Sequence, residues 1–340
     1  MPTPETPCVT IGVPVYRGEA FVAEALRSIQ NQTYRNLAVI VALDGAQPEA
    51  ERACRPFLAD SRFRLVVQPD RLGWVGNIDW LMAQVTTPFW YCHPHDDVVD
   101  PRYVEVLLEE ARLRPEAAVV FGDIAAFGLH SELVVQASVT GDAIARQCAL
   151  LRDHLPAVAF RGLTRLEALR CSGGLRTNEA ADFAADTVWM AAAARWGELW
   201  RVPVAMYHKR YHALNEHLKW SSWPPGERAR AWRIHCAGML EQAMLVAATV
   251  EERELLWRAT MERLVSARWG FWGNGADDST AAREPQIDAF LEYIRTTRHQ
   301  EVSGWLGRDG SDIRPWTIGL LAAGDPGVDR RSGRDNIAAE

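Results

Sequence analysis

The chain has 340 residues, 48% hydrophobic and 24% charged, with a formal net charge of −7 and a pI near 5.8. Those values fit a globular chain of one large domain or two smaller ones, and exclude the basic stripe that a general nucleic-acid binder needs to neutralise phosphates. No apolar run approaches the roughly 18 residues of a membrane span; Met1 to Cys8 lack the apolar core of a signal peptide; and the scattered cysteines form no CxxC pair, so the expected setting is the reducing cytoplasm.

Val9 to Val13 reads as a strand, and Glu19 to Gln32 as a helix with Val22, Ala25, Leu26 and Ile29 on its apolar stripe. Leu37 to Leu43 is almost wholly apolar, as a strand buried on both faces should be. Pro48 to Ala59 reads as helical and Arg64 to Gln68 as a short strand; Ile78, Leu81, Met82 and Val85 then mark another helix face. Phe89 to Cys92 is the next strand. Asp100-Pro101 supplies an expected N-cap and first-turn proline for a helix burying Val104, Leu107, Leu108 and Ala111. Ala117 to Phe121 closes the series. This alternation predicts an α/β fold with a mostly parallel central sheet. From Asp123 to Asp182 the pattern is mixed. A helix from Asp186 to Trp196 and a strand from Leu199 to Tyr207 follow, and Trp220 to Pro225 breaks the chain. Glu227 to Trp269 and Pro285 to Arg298 read as helical, and Gly324 to Glu340 as a polar, disordered tail.

In such sheets ligands bind beyond the carboxyl ends of the strands. The polar residues fall there: Tyr16 and Arg17, Asp44, Arg71, and His93 to Asp97. Adjacent carboxylates at a strand end need a positive partner, and a divalent cation bridging to a diphosphate supplies one. Arg71 could grip phosphate or base through its fork.

Taken in order, these pieces resemble the inverting family 2 glycosyltransferases of the GT-A fold. Thr10 to Tyr16 is similar to the family's opening strand and Pro-x-Tyr turn, and Ser28 to Tyr34 to its Ser-Ile-x-x-Gln-Thr-Tyr segment. Val41 to Gly45, Gly73 to Asn77 and Pro94 to Asp97 complete the likeness. The resemblance implies a GT-A domain over residues 1–212, a helical C-terminal region over 213–323 and a tail over 324–340. It implies transfer of a sugar from a nucleotide-diphosphate donor (UDP- or dTDP-linked) to an acceptor hydroxyl, with Mn²⁺ or Mg²⁺. Asp97 is then the expected metal ligand with His212, and Asp96 a ribose or metal contact. Pro14, Tyr16, Asp44, Arg71 and Arg210 are expected around the nucleotide sugar. Asp186, at a helix start, is the expected base that takes the acceptor proton; Asp182 and Glu179 are its backups. Leu43, Pro94 and Ala185 stand where the family often has acids, which leaves the nucleotide open.

Two rival readings remain. One is a GT-A-like protein that binds nucleotide sugar without turnover. The other is a binuclear metallohydrolase, since His93-x-His95-x-Asp97 begins like its His-x-His-x-Asp-His signature, with Val98 in the last place. Trp220 and Trp223 are expected to pack the C-terminal helices onto the core rather than to form a lid. Those helices could serve acceptor binding, the inner membrane surface or a second copy of the chain.

Overall fold

The computed structural model describes residues 8–153, 157–266, 280–307 and 312–322. The expectations for Met1 to Pro7, Trp269 and the tail from Gly324 lie outside those residues. Strands β1 (Val9–Val15), β2 (Leu37–Leu43), β3 (Phe63–Val67) and β4 (Phe89–Cys92) alternate with helices α1 (Val22–Gln30), α2 (Pro48–Cys54) and α3 (Gly73–Ala83). Helix α1 buries Val22, Ala25, Leu26 and Ile29, the stripe its spacing predicts. The four strands pair in parallel, in the order β3-β2-β1-β4. Gly12 is required where it stands, because a Cβ there would lie 2.1 Å from the Trp90 ring.

The second half of the sheet differs from a simple alternation. It is built from β5 (Val98–Val99), β6 (Ala117–Gly128), β7 (Glu132–Val134), β8 (Leu163–Arg165) and β9 (Glu198–Tyr211), with α4 (Tyr103–Leu113), α5 (Ala143–Asp153), α6 (Leu166–Cys171) and α7 (Ala185–Ala193) between them. The full order is β3-β2-β1-β4-β8-β6-β9-β5, with β7 on β6. Strand β8 inserts antiparallel between β4 and β6, while β6 and β9 are parallel. β6 and β9 run past their expected ends at Phe121 and Tyr207. That extra length matters: β5 pairs antiparallel with β9, Val98 opposite His208 and Val99 opposite Tyr207. It sets the loop before Val98 against the end of β9.

Asp100 does not cap α4. The helix starts at Tyr103 after Arg102, which makes no side-chain cap. Instead the buried Gln32 side chain does that work. Its Oε1 accepts from the Val104 N–H at 3.0 Å, and its Nε2 donates to the carbonyls of Asp100 and Ser28 at 2.7 and 3.1 Å. One amide therefore ties the end of α1 to the start of α4.

Beyond β9 come α8 (Glu216–Ser221), α9 (Pro225–Met244), α10 (Val250–Val265), α11 (Thr280–Leu306) and α12 (Ile313–Ala322). The expected Glu227 to Trp269 helix is two helices, because Thr249 and Glu252 form a reciprocal capping box that starts α10 anew. Helix α9 packs on α7 and α10 packs on α5. Trp232, Met239 and Trp257 share one continuous buried cluster with Val9 and Ile11. Trp220 and Trp223 meet Phe183, with ring centroids at 5.1 and 6.1 Å, so they pack the helices onto the core as expected.

Candidate active site

Two clusters form at the carboxyl ends of the strands. The first lies beyond β1, β2 and β3. Asp44 is buried, and its Oδ1 accepts from the Leu72 N–H at 2.6 Å. The Arg71 Nε lies 3.7 Å from Asp44 Oδ2, and its guanidinium sits 4.0 Å from the Tyr16 ring centroid. Tyr16, Asp44 and Arg71 thus form one group, with the Arg71 side chain 62% exposed and able to swing. Pro14 stands beside it, and its carbonyl holds His95 Nδ1 at 3.1 Å.

The second cluster forms where β4 ends and β9 returns. Asp97 is 2% exposed, and protein donors use both of its carboxylate oxygens. The Tyr207 hydroxyl donates to Oδ2 at 2.5 Å, and the Arg210 N–H to Oδ1 at 2.8 Å. The Arg161 Nε lies 3.7 Å from Oδ2. Burial, then the neighbouring Asp96 charge, pushes the Asp97 carboxyl up to about 6, against the pull of Arg161. This carboxylate fastens the loop to β9.

Asp96 is placed differently. Its Oδ2 meets His212 Nε2 at 2.8 Å and the Asn215 side-chain amide at 3.1 Å. Burial would raise the Asp96 carboxyl, but the His95 and His212 charges and the hydrogen bond from His212 outweigh it, and the net shift is downward. In this structure Asp97 is turned inward with both oxygens engaged, and Asp96 is the acid that faces His212. Among the described residues no group of three or more His, Cys, Asp or Glu side chains converges as a metal cage. A pair still suits Mg²⁺ or Mn²⁺ at a phosphate site, because such ions take one or two protein ligands and fill the rest with water and substrate phosphate oxygens. The 2.8 Å between Asp96 and His212 is a hydrogen bond in which Nε2 carries the proton, since His212 Nδ1 accepts from the Leu214 N–H. Holding a cation there would require Nε2 to give up that proton.

Arg210 is committed to the protein. Its Nε donates to the Asp96 carbonyl at 2.9 Å, its Nη2 to Glu24 at 2.6 Å, and its plane lies near the Phe21 and Phe127 rings. It braces the Asp96 loop.

Asp186 lies in the first turn of α7, where the helix macrodipole favours an acid. Its Oδ1 accepts from the Thr187 N–H at 3.0 Å. Burial raises its carboxyl, opposed first by the Arg161 charge and then by that hydrogen bond and Lys209. The backups lie elsewhere: Asp182 Oδ1 is taken by the Asn178 N–H at 2.9 Å, and Glu179 is exposed beside Arg230. Three residues before α7 hold left-handed backbone, Ala181, Asp182 and Ala184, with φ of 49°, 61° and 51°. Such conformations cost L-residues about 1–2 kcal/mol each. Asn178 helps hold the turn by donating from its side chain to the Phe183 carbonyl at 3.0 Å.

Sequence reasoning missed Arg161 and Lys209. Arg161 comes from the unpatterned segment before β8, and nothing near it in the chain marks it. Lys209 was visible as one of two lysines, within the run Tyr207 to His212. Its side chain is half-buried over the Tyr211 ring, and burial, then Arg161, brings its ammonium down to about 8.

Among the described residues the rival metallohydrolase arrangement finds no ligand set. His93 is fully buried between the Tyr91 hydroxyl at 2.6 Å and the Asp97 carbonyl at 3.0 Å. A carbonyl only accepts, so Nε2 carries the proton and Nδ1 accepts from Tyr91. Both ring nitrogens are used, and burial holds the imidazole down near 4.

The profile "Glycosyl transferase family 2" matches residues 10–160. EpsH of Bacillus subtilis, which carries a glycosyltransferase name, is 31% identical over 109 residues, covering 32% of this chain and 31% of that one. Glycosyltransferase GlyA of Streptococcus pneumoniae is 25% identical over 134 residues, covering 39% of this chain and 19% of that one. The matches thus span about a third and about a fifth of those relatives. Among solved structures, S. aureus TarS 1-349 in complex with UDP-GlcNAc superposes with a TM-score of 0.61 at 14% identity, covering 92% of this chain and 87% of that one. The mannosyltransferase PcManGT of Pyrobaculum calidifontis, in complex with GDP-Man and Mn²⁺, gives 0.51 at 16% identity, covering 95% and 87%. Similarity at that level speaks for the fold.

Proposed function

We propose that this chain, which carries a family 2 glycosyltransferase domain, transfers a sugar from a nucleotide-diphosphate donor to an acceptor hydroxyl with inversion at the anomeric carbon. The observation that carries this reading is the Asp96–His212 pair just beyond the end of β9, held beside the buried Asp97, with a second acid, Asp186, in the first turn of α7. Support also comes from relatives named as glycosyltransferases and from a neighbour of like fold that holds UDP-GlcNAc.

In this reading Asp44, Arg71 and Tyr16 receive the nucleotide base and ribose beyond β1 to β3. Arg71 leaves the Tyr16 ring and turns outward to make room. Asp96 and His212 would hold a divalent cation, which when bound would offset the negative charge of the diphosphate. Asp186 accepts the proton of the acceptor hydroxyl as that oxygen attacks, and inversion follows from attack opposite the leaving group. Asp97 stays within the protein and holds the Asp96 loop on β9 through Tyr207 and the Arg210 N–H.

Thermal shift with nucleoside diphosphates and Mn²⁺ tests the donor half. A ligand that binds only the folded state stabilises by about 2.7 kcal/mol at 100 times its Kd. One nucleoside diphosphate should raise Tm by several degrees with Mn²⁺ and by much less with EDTA. No response to any nucleoside diphosphate, with or without metal, contradicts the reading.

A further inference from the structure

We propose that Asn215 is a positioning residue for the donor's divalent cation: its side-chain amide holds the Asp96 carboxylate and the His212 backbone in one frame. The inference rests on the reading of Asp96 and His212 as the residues that hold that cation.

Asn215 stands where an asparagine ordinarily serves its own helix. It is the N-cap of α8, with extended backbone at φ −61° and ψ 135°. An asparagine there normally accepts from a backbone N–H two or three residues on. Asn215 makes no such bond. Its side chain turns back from the helix instead, and the residue is only 8% exposed. The Oδ1 accepts from the His212 N–H at 2.7 Å, and the Nδ2 donates to Asp96 Oδ2 at 3.1 Å. The local preference for capping is given up to join two residues that lie far apart in the chain.

The surrounding bonds close a ring. His212 Nε2 meets the same Asp96 oxygen at 2.8 Å. The Leu214 N–H donates to His212 Nδ1 at 3.3 Å, and the Asn215 N–H to the His212 carbonyl at 3.1 Å. Phe21 lies against the imidazole, with ring centroids 4.7 Å apart. On the other side, Arg210 Nε holds the Asp96 carbonyl at 2.9 Å. Asp96 and His212 are thus each held at backbone and side chain, and Asn215 bonds to both.

An amide suits this place for two reasons. It is a neutral donor, so it orients Asp96 without cancelling the negative charge that attracts a cation, as Arg or Lys would. It also carries an acceptor, which cationic side chains lack, and that acceptor fixes the turn bearing His212. Hydrogen-bonded partners of this kind set the aim of ligating carboxylates and imidazoles.

The test is calorimetric binding of UDP and of dTDP, each with Mn²⁺ and with EDTA, to the wild type, Asn215→Ala, Asn215→Ser and Asp96→Asn, with thermal unfolding of each. Asn215→Ala should weaken the Mn²⁺-assisted affinity by about tenfold to a hundredfold and change the affinity in EDTA by less than about threefold. Asn215→Ser keeps a short acceptor for the His212 N–H but is too short to reach Asp96. It should show the same metal-specific loss, which keeps the idea testable if Asn215→Ala does not fold. Equal losses with Mn²⁺ and with EDTA overturn the inference, since they make Asn215 a brace of the fold and not of the cation's ligands. Asp96→Asn separates the two claims. If it loses the Mn²⁺-assisted affinity while both Asn215 variants keep it, only the inference about Asn215 falls. If it keeps that affinity, or if the wild type shows none, the reading of Asp96 as a ligand falls and the inference with it.

Discussion

Asp96 and Asp97 are neighbours in sequence with opposite surroundings, and substitution should separate them. Asp97→Ala leaves the Tyr207 hydroxyl, the Arg210 N–H and the Arg161 charge without their acceptor. Removing one partner of a buried charged pair costs about 3–5 kcal/mol, so thermal unfolding should shift down by many degrees. Asp96→Asn should leave Tm within a few degrees yet weaken Mn²⁺-dependent nucleoside diphosphate binding tenfold or more by calorimetry. Loss of metal-dependent binding in a well-folded Asp97 variant, with Asp96→Asn unaffected, would instead support Asp97 as the metal ligand, as motif position suggests. The motif places two acids on the loop. Which of them turns inward depends on Tyr207 and Arg210, which reach them only because β9 pairs with β5.

His93 carries a second prediction at this scale. Its buried imidazole is held near 4, below the ordinary value of about 6.5. Between those values the unfolded chain binds a proton that the folded chain does not, so stability rises with pH across that window and is lost as pH falls through it. Full expression of that difference is worth roughly 3 kcal/mol. The drop in Tm from pH 7 to pH 4.5 should therefore be smaller in His93→Gln than in the wild type, even though the variant starts from a lower Tm. Parallel curves for the two proteins would show that His93 does not contribute.

At the scale of elements, the strained turn before α7 is the clearest departure from local preference. Ala181 is exposed at φ 49°, so its methyl adds no packing and stands in a conformation that glycine adopts freely. Ala181→Gly should stabilise by roughly 0.5–1 kcal/mol, where the same change at an unstrained site destabilises. A loss of 1 kcal/mol or more in chemical denaturation would show that the turn is not strained there. No feature of residues 178–184 announces this backbone, because the sequence holds alanine where the geometry favours glycine. The elements from β1 to α4 were legible for the opposite reason. Their apolar spacing matches what each buries, as in α1 with Val22, Ala25, Leu26 and Ile29. The cap of α4 was not legible: Asp100-Pro101 satisfied the local rule, while Gln32, distant in sequence, satisfied the helix.

At the scale of the whole molecule, the cluster around Asp96 and Asp97 is assembled by long-range pairing of β9 with β5, which local pattern in the chain does not reveal. Asp44 and Arg71 could be placed because each follows a recognisable parallel strand. Arg161 could not, because β8 enters the sheet antiparallel from a segment with no periodic pattern. The C-terminal helices share the core of the sheet domain, α9 on α7 and α10 on α5, so they help fix the helix that carries Asp186. The most direct test of the proposed transfer is Asp186→Asn, compared with the wild type in donor binding by calorimetry, turnover, and product configuration by NMR. The expected result is donor affinity within about threefold, turnover reduced by about two or more orders of magnitude, and an inverted product from the wild type. Near-normal turnover in Asp186→Asn, or a product that retains the donor's configuration, would contradict it.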